Sequence, residues 1–464
     1  MFINSFGFLF IFLPVVVVLY WVIPRGYARL LFLIVASCLF YGLWDWRYVP
    51  LLLLTTMVDW AAGKAISRSQ NGRRRKLLLA AAITVNIGLL AYFKYRGFFF
   101  NSMDGIFRLL GMNEPLPALR VLLPVGVSFY TFAAISYAVD VYRGMIRPAK
   151  SVIHYLAWAT VFPYLLAGPI IRYGHVGEQL ERAQQRFRLS LVGTGLFFLA
   201  MGLAKKMLVA DMMAPYVNNL FAHHAHLGLL SGWGAALGYT MQLYFDFSGY
   251  SDMAVGVAFM IGLRFPQNFD SPYKAVNPSD FWRRWHMSLS SWLRDYLFIP
   301  LGGSRGTTFA TVRNLLITFL LAGLWHGPAW TFVFWGLLWG VFQSVHVVAR
   351  KWGLTPKWVW LNRVLTFVAA TVAWVFFRAT SMRSALDVLG AMIGLNGVKS
   401  GGALPLAPAL AAFIVGGLLW VNFLPNSWEI KAQPKLRYAL VLGLLVGASL
   451  LAMSKPSAFL YFQF

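Results

Sequence analysis

Acidic side chains are scarce in this sequence: 15 Asp and Glu stand against 40 Lys and Arg, and all charged residues together make up 12% of the 464 residues. Soluble domains carry about 25% charged residues. With 59% hydrophobic residues gathered in repeated apolar runs, that scarcity excludes an ordinary soluble enzyme and points to a polytopic membrane protein. Cysteine is nearly absent. Cys38 stands alone inside an apolar run, so an intrachain disulfide and a thiolate metal cluster are both excluded. Walker A, dinucleotide-binding, GxSxG and HExxH patterns are also missing, which leaves no sign of ATP-driven or hydride chemistry. The net charge of +25 would suggest nucleic acid in a soluble protein. Here the basic residues fall mainly between apolar runs, where they orient helices and meet anionic lipid, so nucleic-acid binding is not expected.

Aromatics are abundant, with 19 Trp and 39 Phe, more than interfacial belts alone need. Apolar runs long enough for a bilayer occur near 6–23, 28–44, 48–66, 77–95, 121–142, 152–171, 189–213, 229–246, 252–265, 312–325, 329–349, 361–378, 404–424 and 436–453. Several are short or broken by Gly and Pro, so about 11 transmembrane helices are expected, with re-entrant or interfacial helices besides. The first run lacks the basic start and cleavage site of a signal peptide and reads as a retained span. Six Lys and Arg in Lys64–Lys76 place that connection in the cytoplasm and the N-terminus outside. Lys94, Arg96 and Arg120 blur the pattern further on. No internal repeat and no soluble domain is visible, so residues 1–464 are expected to form one membrane domain. Its segment 266–313 reads as interfacial or re-entrant.

Within that segment, Trp282–Leu293 (WRRWHMSLSSWL) packs three tryptophans, two arginines and a histidine into twelve residues. At about 100° per residue, Trp282, Trp285, His286, Leu289, Trp292, Leu293 and Tyr296 share a face about 120° wide. Arg283, Arg284, Ser291, Arg294 and Asp295 take the other side. The pattern predicts an amphipathic interfacial helix with His286 at the edge of its apolar stripe. His286 is then either a structural histidine bonded to backbone or a group aimed at a substrate. His326, in GLWHGPAW, ends an apolar run and is followed at once by Gly327 and Pro328, which should break the helix. An ionisable group at a break of membrane depth is a functional candidate, and a neutral imidazole there can take a proton from a hydroxyl.

The few carboxylates in apolar runs include Asp246 and Asp252, six residues apart and about 240° around a helix. They are not expected to form one catalytic pair unless Gly249 interrupts the helix. His223, His224 and His226 form a loop cluster without the Cys or carboxylate partners of a zinc site, so no metal is expected. His154, His175 and His346 stand alone, each with a structural or interfacial role as its default.

The runs FPQNFDSPYKAVNPSDFWRRWHMSLSSWLRDYLFIPLGGSR (Phe265–Arg305) and RNLLITFLLAGLWHGPAWTFVFWGLLWG (Arg313–Gly340) together resemble membrane-bound O-acyltransferases, most closely the bacterial alginate O-acetyltransferase-like branch. LPVGVSFYTFAAISYAVDVYRG (Leu123–Gly144), FPYLLAGPIIR (Phe162–Arg172), QLYFDFSGYSDMAVG (Gln242–Gly256) and FLYFQF (Phe459–Phe464) add to the likeness. The resemblance implies an all-α ring of membrane helices around a central tunnel, in the bacterial inner membrane. It implies His326 as the family's near-invariant histidine and His286 as its second polar residue. Acetyl-CoA is the implied donor, a polysaccharide the acceptor, and a periplasmic or secreted acetyltransferase the partner that completes transfer. On this reading Arg283, Arg284, Arg294 and Trp285 bind the donor, with lipid-headgroup contact as the competing role for the arginines. Asp246, Asp252 and Trp325 line the substrate path. His326 would act as general base and His286 would position the donor or polarise its carbonyl; an acyl-enzyme route stays open. D-alanyl transfer to a cell-wall polymer, or a secondary transporter or flippase with broken helices, is the alternative.

Overall fold

The computed structural model of the chain describes residues 1–111, 123–165, 168–181, 186–397, 406–430, 435–453 and 459–460. Arg120, Leu166, Ala167 and the last four residues of FLYFQF lie outside them. Every regular element among the described residues is helical. The α-helices are α1 (Leu13–Val22), α2 (Tyr27–Asp45), α3 (Val49–Arg68), α4 (Gly72–Leu90), α5 (Arg96–Leu109), α6 (Val127–Arg143), α7 (Val152–Thr160), the single turns α8 (Phe162–Leu165) and α9 (Glu178–Glu181), and α10 (Leu189–Leu203). They continue with α11 (Asp211–Ala222), α12 (Leu229–Met260), α13 (Pro278–Arg284), α14 (Met287–Leu293), α15 (Thr308–His326), α16 (Trp330–Lys351), α17 (Val359–Arg378), α18 (Met382–Met392), α19 (Pro408–Phe423) and α20 (Leu436–Ala452).

Six helical segments among the described residues are long and apolar enough to cross a membrane: Tyr27–Arg68, Gly72–Arg108, Leu189–Ala222, Thr308–His326, Trp330–Lys351 and Val359–Arg378. Three shorter apolar helices, Phe8–Val22, Pro408–Phe423 and Leu436–Ala452, join them. The chain is an all-helical polytopic membrane protein. Two expectations change in detail. The runs 229–246 and 252–265 form one 32-residue helix, because Gly249 sits in α12 without breaking it. The basic segment Lys64–Lys76 is not a long loop but two helix ends joined at 69–71, where the Asn71 side chain accepts from Arg74 N–H and caps α4.

The chain divides into two compact units. The first comprises Met1–Leu196 with Ala254–Pro266. Its interior is aromatic: Phe8, Phe12, Phe40 and Phe162 form one cluster of edge-to-face, tilted and stacked rings, and Tyr137, Tyr155, Trp158 and Tyr173 form a second. Among its buried polar groups, Asn86 donates to Asp59 at 2.6 Å. Many of the surplus aromatics thus pack an interior rather than a belt.

The second unit comprises Phe197–Met253 with Gln267–Phe464. Two features order it. The first is the α15–α16 hairpin, in which a Cβ on Gly323 would strike the Phe332 carbonyl and one on Gly336 the Phe319 carbonyl. Only hydrogen fits at that crossing, so the helices meet backbone to backbone. The second is a pair of buried ion pairs. Lys205 and Lys206 lie in a π-helical stretch, Ala204–Ala210, that runs on from α10. Lys205 Nζ sits 2.6 Å from Asp252 and donates to Ser427 at 2.8 Å, while Lys206 Nζ sits 2.5 Å from Asp246 and 2.7 Å from Asp211. Both lysines are 4% exposed or less. Gly202 and Gly249 make this approach feasible, since a Cβ on either would stand 2.8 Å or less from the other's carbonyl.

Removing one member of such a pair strands a buried charge, at a cost of about 3–5 kcal/mol, whereas replacing both with apolar groups is often neutral. Lys205→Met is therefore expected to lower the thermal unfolding midpoint in detergent clearly, and Lys205→Met with Asp252→Leu to recover most of the loss. A single variant as stable as wild type would remove the ion pair from the stability account.

Candidate active site

The twelve-residue segment 282–293 does not form the single amphipathic helix that its periodicity predicts. α13 stops at Arg284, and α14 starts at Met287. Between them His286 takes a left-handed conformation, φ 42° and ψ 54°. Only Ser271 shares positive φ among the described non-glycine residues. Such backbone costs about 1–3 kcal/mol and persists only where the surroundings impose it.

Asn268 imposes it. Its backbone carbonyl accepts from Met287 N–H at 2.9 Å. Its Oδ1 accepts from Ser288 Oγ at 2.8 Å, Ser288 N–H at 3.3 Å and His286 Nδ1 at 3.2 Å. Its Nδ2 donates to Ser251 Oγ on α12 at 3.1 Å. The first turn of α14, whose own N-cap side chain makes no capping bond, is thus capped by a residue 18 positions upstream. Asp270 N–H donating to Arg284 O at 2.9 Å closes the other side of the break.

The hydrogen bonding also fixes the histidine's chemistry. An amide Oδ1 only accepts, and the Ser288 hydroxyl, 3.4 Å from Nδ1, gives its proton to Asn268 Oδ1 at the shorter 2.8 Å, so the proton on the neutral ring belongs on Nδ1 and Nε2 keeps its lone pair. His286 is 0% exposed, and burial holds the imidazole well below its ordinary value, down to about 3. It is neutral across the physiological range. Its ring meets Phe247 edge-on at 4.7 Å and lies 6.4 Å from Trp325. Among the described residues nothing hydrogen-bonds to Nε2.

His326 is the last residue of α15. Gly327 follows in extended conformation, and a Cβ there would enter the Phe332 ring. The expected break after His326 is therefore present. The imidazole is 5% exposed, with Trp325, Trp335 and Phe377 at 5.0, 4.8 and 5.1 Å in edge geometry. Trp325 touches both imidazoles, so the two histidines that the sequence singled out flank one indole.

The other expected site residues are distributed unevenly. Arg284 is engaged by Asp280 at 3.1 Å and by Asp270, and Arg294 by Asp295 at 2.7 Å. Arg283 is exposed, has no ion pair among the described residues, and borders a cavity of about 290 Å³ with Trp282, Ser290, Ser291, Arg294 and Thr318. Trp285 is 3% exposed and packed among Tyr244, Phe269, Tyr273, Phe281 and Trp374. Asp246 and Asp252 turn their carboxylates to lysines, and Asp246 also accepts from Leu460 N–H at 3.0 Å. His224 lies 2.8 Å from Asp387. Asn268, Ser288 and the two lysines carry no signal in the sequence: an asparagine in an extended run has no periodicity, and the lysines lie inside the apolar run 189–213 with their carboxylate partners on another helix.

Asn268→Ala is expected to release the His286 tautomer. In ¹⁵N-histidine spectra of the detergent-solubilised protein, the His286 pair should change from a single Nδ1-protonated signature to a mixture. Losing bonds to buried groups should cost about 1–3 kcal/mol. An unchanged signature would show that Asn268 does not set the tautomer.

Comparison with known proteins follows the same residues. The sequence profile of MBOAT, the membrane-bound O-acyltransferase family, matches residues 146–386, which include both histidines. A probable alginate O-acetylase AlgI of Azotobacter vinelandii is 40% identical over 399 residues, 85% of this chain and 78% of that protein. A peptidoglycan O-acetyltransferase of Helicobacter pylori is 37% identical over 432 residues, 85% of this chain and 80% of the relative. A teichoic acid D-alanyltransferase of Bacillus subtilis is 29% identical over 269 residues, 56% of this chain and 68% of its own length. The chain belongs to the membrane-bound O-acyltransferase family and is an O-acyltransferase.

Proposed function

We propose that this protein moves an acetyl group from acetyl-CoA, a cytosolic thioester, across the bacterial inner membrane toward hydroxyls of an extracytoplasmic polysaccharide. A periplasmic partner completes the transfer, and residues 1–464 act as one domain whose segment 266–313 leads into the active-site helix α15. The observation that carries the reading is the pair of buried histidines on either side of Trp325, one of them with a fixed lone pair.

The chemistry follows from those groups. His326 takes the proton of the acceptor hydroxyl as its oxygen attacks the thioester carbonyl. The tetrahedral intermediate collapses with cleavage of the C–S bond, and the imidazolium returns the proton to the departing thiolate. His286, with its proton committed to Asn268, offers Nε2 as an acceptor, which suits holding a donor N–H or the acceptor hydroxyl. It does not suit polarising a carbonyl, so positioning is the role we assign to it. Arg283 is the arginine of the three whose guanidinium is not held by a carboxylate, which favours it for the donor's phosphates. D-alanyl transfer is the second reading. The longer and closer match to relatives named as O-acetyl-transferring proteins favours acetyl.

His326→Ala, assayed in membranes that also hold the periplasmic partner, with acetyl-labelled acetyl-CoA and an acceptor oligosaccharide, is expected to lose about 10²–10⁴-fold in transfer with insertion unchanged. Arg283→Gln should raise the KM for the donor about tenfold while leaving kcat near wild type. Wild-type rates in His326→Ala would remove the histidine from the mechanism, and a pure kcat loss in Arg283→Gln would remove the arginine from donor binding.

A further inference from the structure

A second cavity, of about 670 Å³, shares Ser279 and Arg283 with the first. α16 and α17 supply apolar wall, with Phe342, Val345 and Leu365 among its members. Three basic side chains face this space: Arg283 from the last turn of α13, and His346 and Arg350 from α16. His346 and Arg350 are four residues apart, so they sit on one face of their helix. Among the described residues no carboxylate lines the cavity, and neither Arg350 nor Arg283 has an ion pair. The two guanidiniums, gathered in one partly apolar space without an anion, repel each other, and each retains unused hydrogen-bond donors.

The location adds to the case. Lys351 Nζ donates to Thr308 Oγ1 at 2.7 Å, which ties the end of α16 to the start of α15. Arg350, Lys351, Lys357 and Arg363 crowd the short connection to α17. By the positive-inside rule that connection is cytoplasmic, beside the leaflet that carries anionic lipid.

We propose that this cavity is a binding site for a phosphate ester, with Arg283, His346 and Arg350 around the phosphate and Phe342, Val345 and Leu365 along the chain attached to it. An acidic phospholipid of the bilayer and a soluble phosphate-bearing coenzyme present the same group. The proposal rests on the cavity and shares Arg283 with the donor reading above, so its variants are placed at His346 and Arg350, which that reading does not use.

The test uses the full chain in nanodiscs of mixed phosphatidylglycerol and phosphatidylcholine, with retained lipid counted by native mass spectrometry. Wild type is expected to retain phosphatidylglycerol in preference. Arg350→Gln and His346→Gln should each retain about tenfold less, the loss of a hydrogen bond to a charged group, and Arg350→Lys should recover most of it. Unchanged thermal midpoints exclude unfolding as the cause. Displacement of the retained lipid by added coenzyme A would support the site and assign it to the soluble source; retention against excess coenzyme A would support it and assign it to the bilayer. Equal retention of the two lipids, or variants that retain as much as wild type, would overturn the proposal.

Discussion

The hydrogen bonds of Asn268 are the constraint on which the rest of the site depends. One side chain caps a helix that cannot cap itself, holds a histidine in a left-handed conformation and selects its tautomer. These effects cannot be separated, because the same Oδ1 serves both Ser288 and His286. A histidine at the start of a helix would ordinarily be exposed and free to turn. Here it is sealed in and presents one lone pair in one direction, the kind of preorganisation that group transfer needs from a neutral acceptor.

Around that constraint the second unit supplies rigidity by two means. Glycines at the α15–α16 crossing bring backbones together so that His326 is delivered at a fixed depth beside Trp325 and Trp335. The two buried lysines fork around α12 and fix the helix that carries Ser251, the far anchor of Asn268, and Phe247, the ring against His286. Asp246 and Asp252 thus hold α12 against the lysines, while the imidazoles are surrounded mainly by aromatic rings.

Much of this was legible in the sequence, and the exceptions have physical causes. Apolar runs report bilayer spans directly, so the helical membrane class and most helix positions follow from composition and spacing. His326 was legible because the Gly-Pro pair behind it ends a helix by local sterics. His286 was legible as a residue but not as a conformation: no glycine or proline marks the break at 285–286, and periodicity alone continues the helix through it. The break is set by a partner 18 residues away, which a local pattern cannot contain. The arginines differ because of their partners: Asp280 and Asp295 are local, at i−4 of Arg284 and i+1 of Arg294, while Asp270, 14 residues upstream of Arg284, lies beyond a local pattern. Lys205 and Lys206 lie inside the apolar run 189–213, and it is their pairing with α12 that shows how a buried charge is tolerated there.

The most direct test of the central claim, that acyl transfer takes place between His286 and His326, is a structure of the protein with a non-cleavable thioether analogue of the acetyl donor. The account predicts the analogue's acetyl carbonyl beside Trp325, with His326 within hydrogen-bonding distance of the acceptor position and Nε2 of His286 accepting from donor or acceptor. An acetyl group bound away from both histidines, with their rings unmoved, would contradict it.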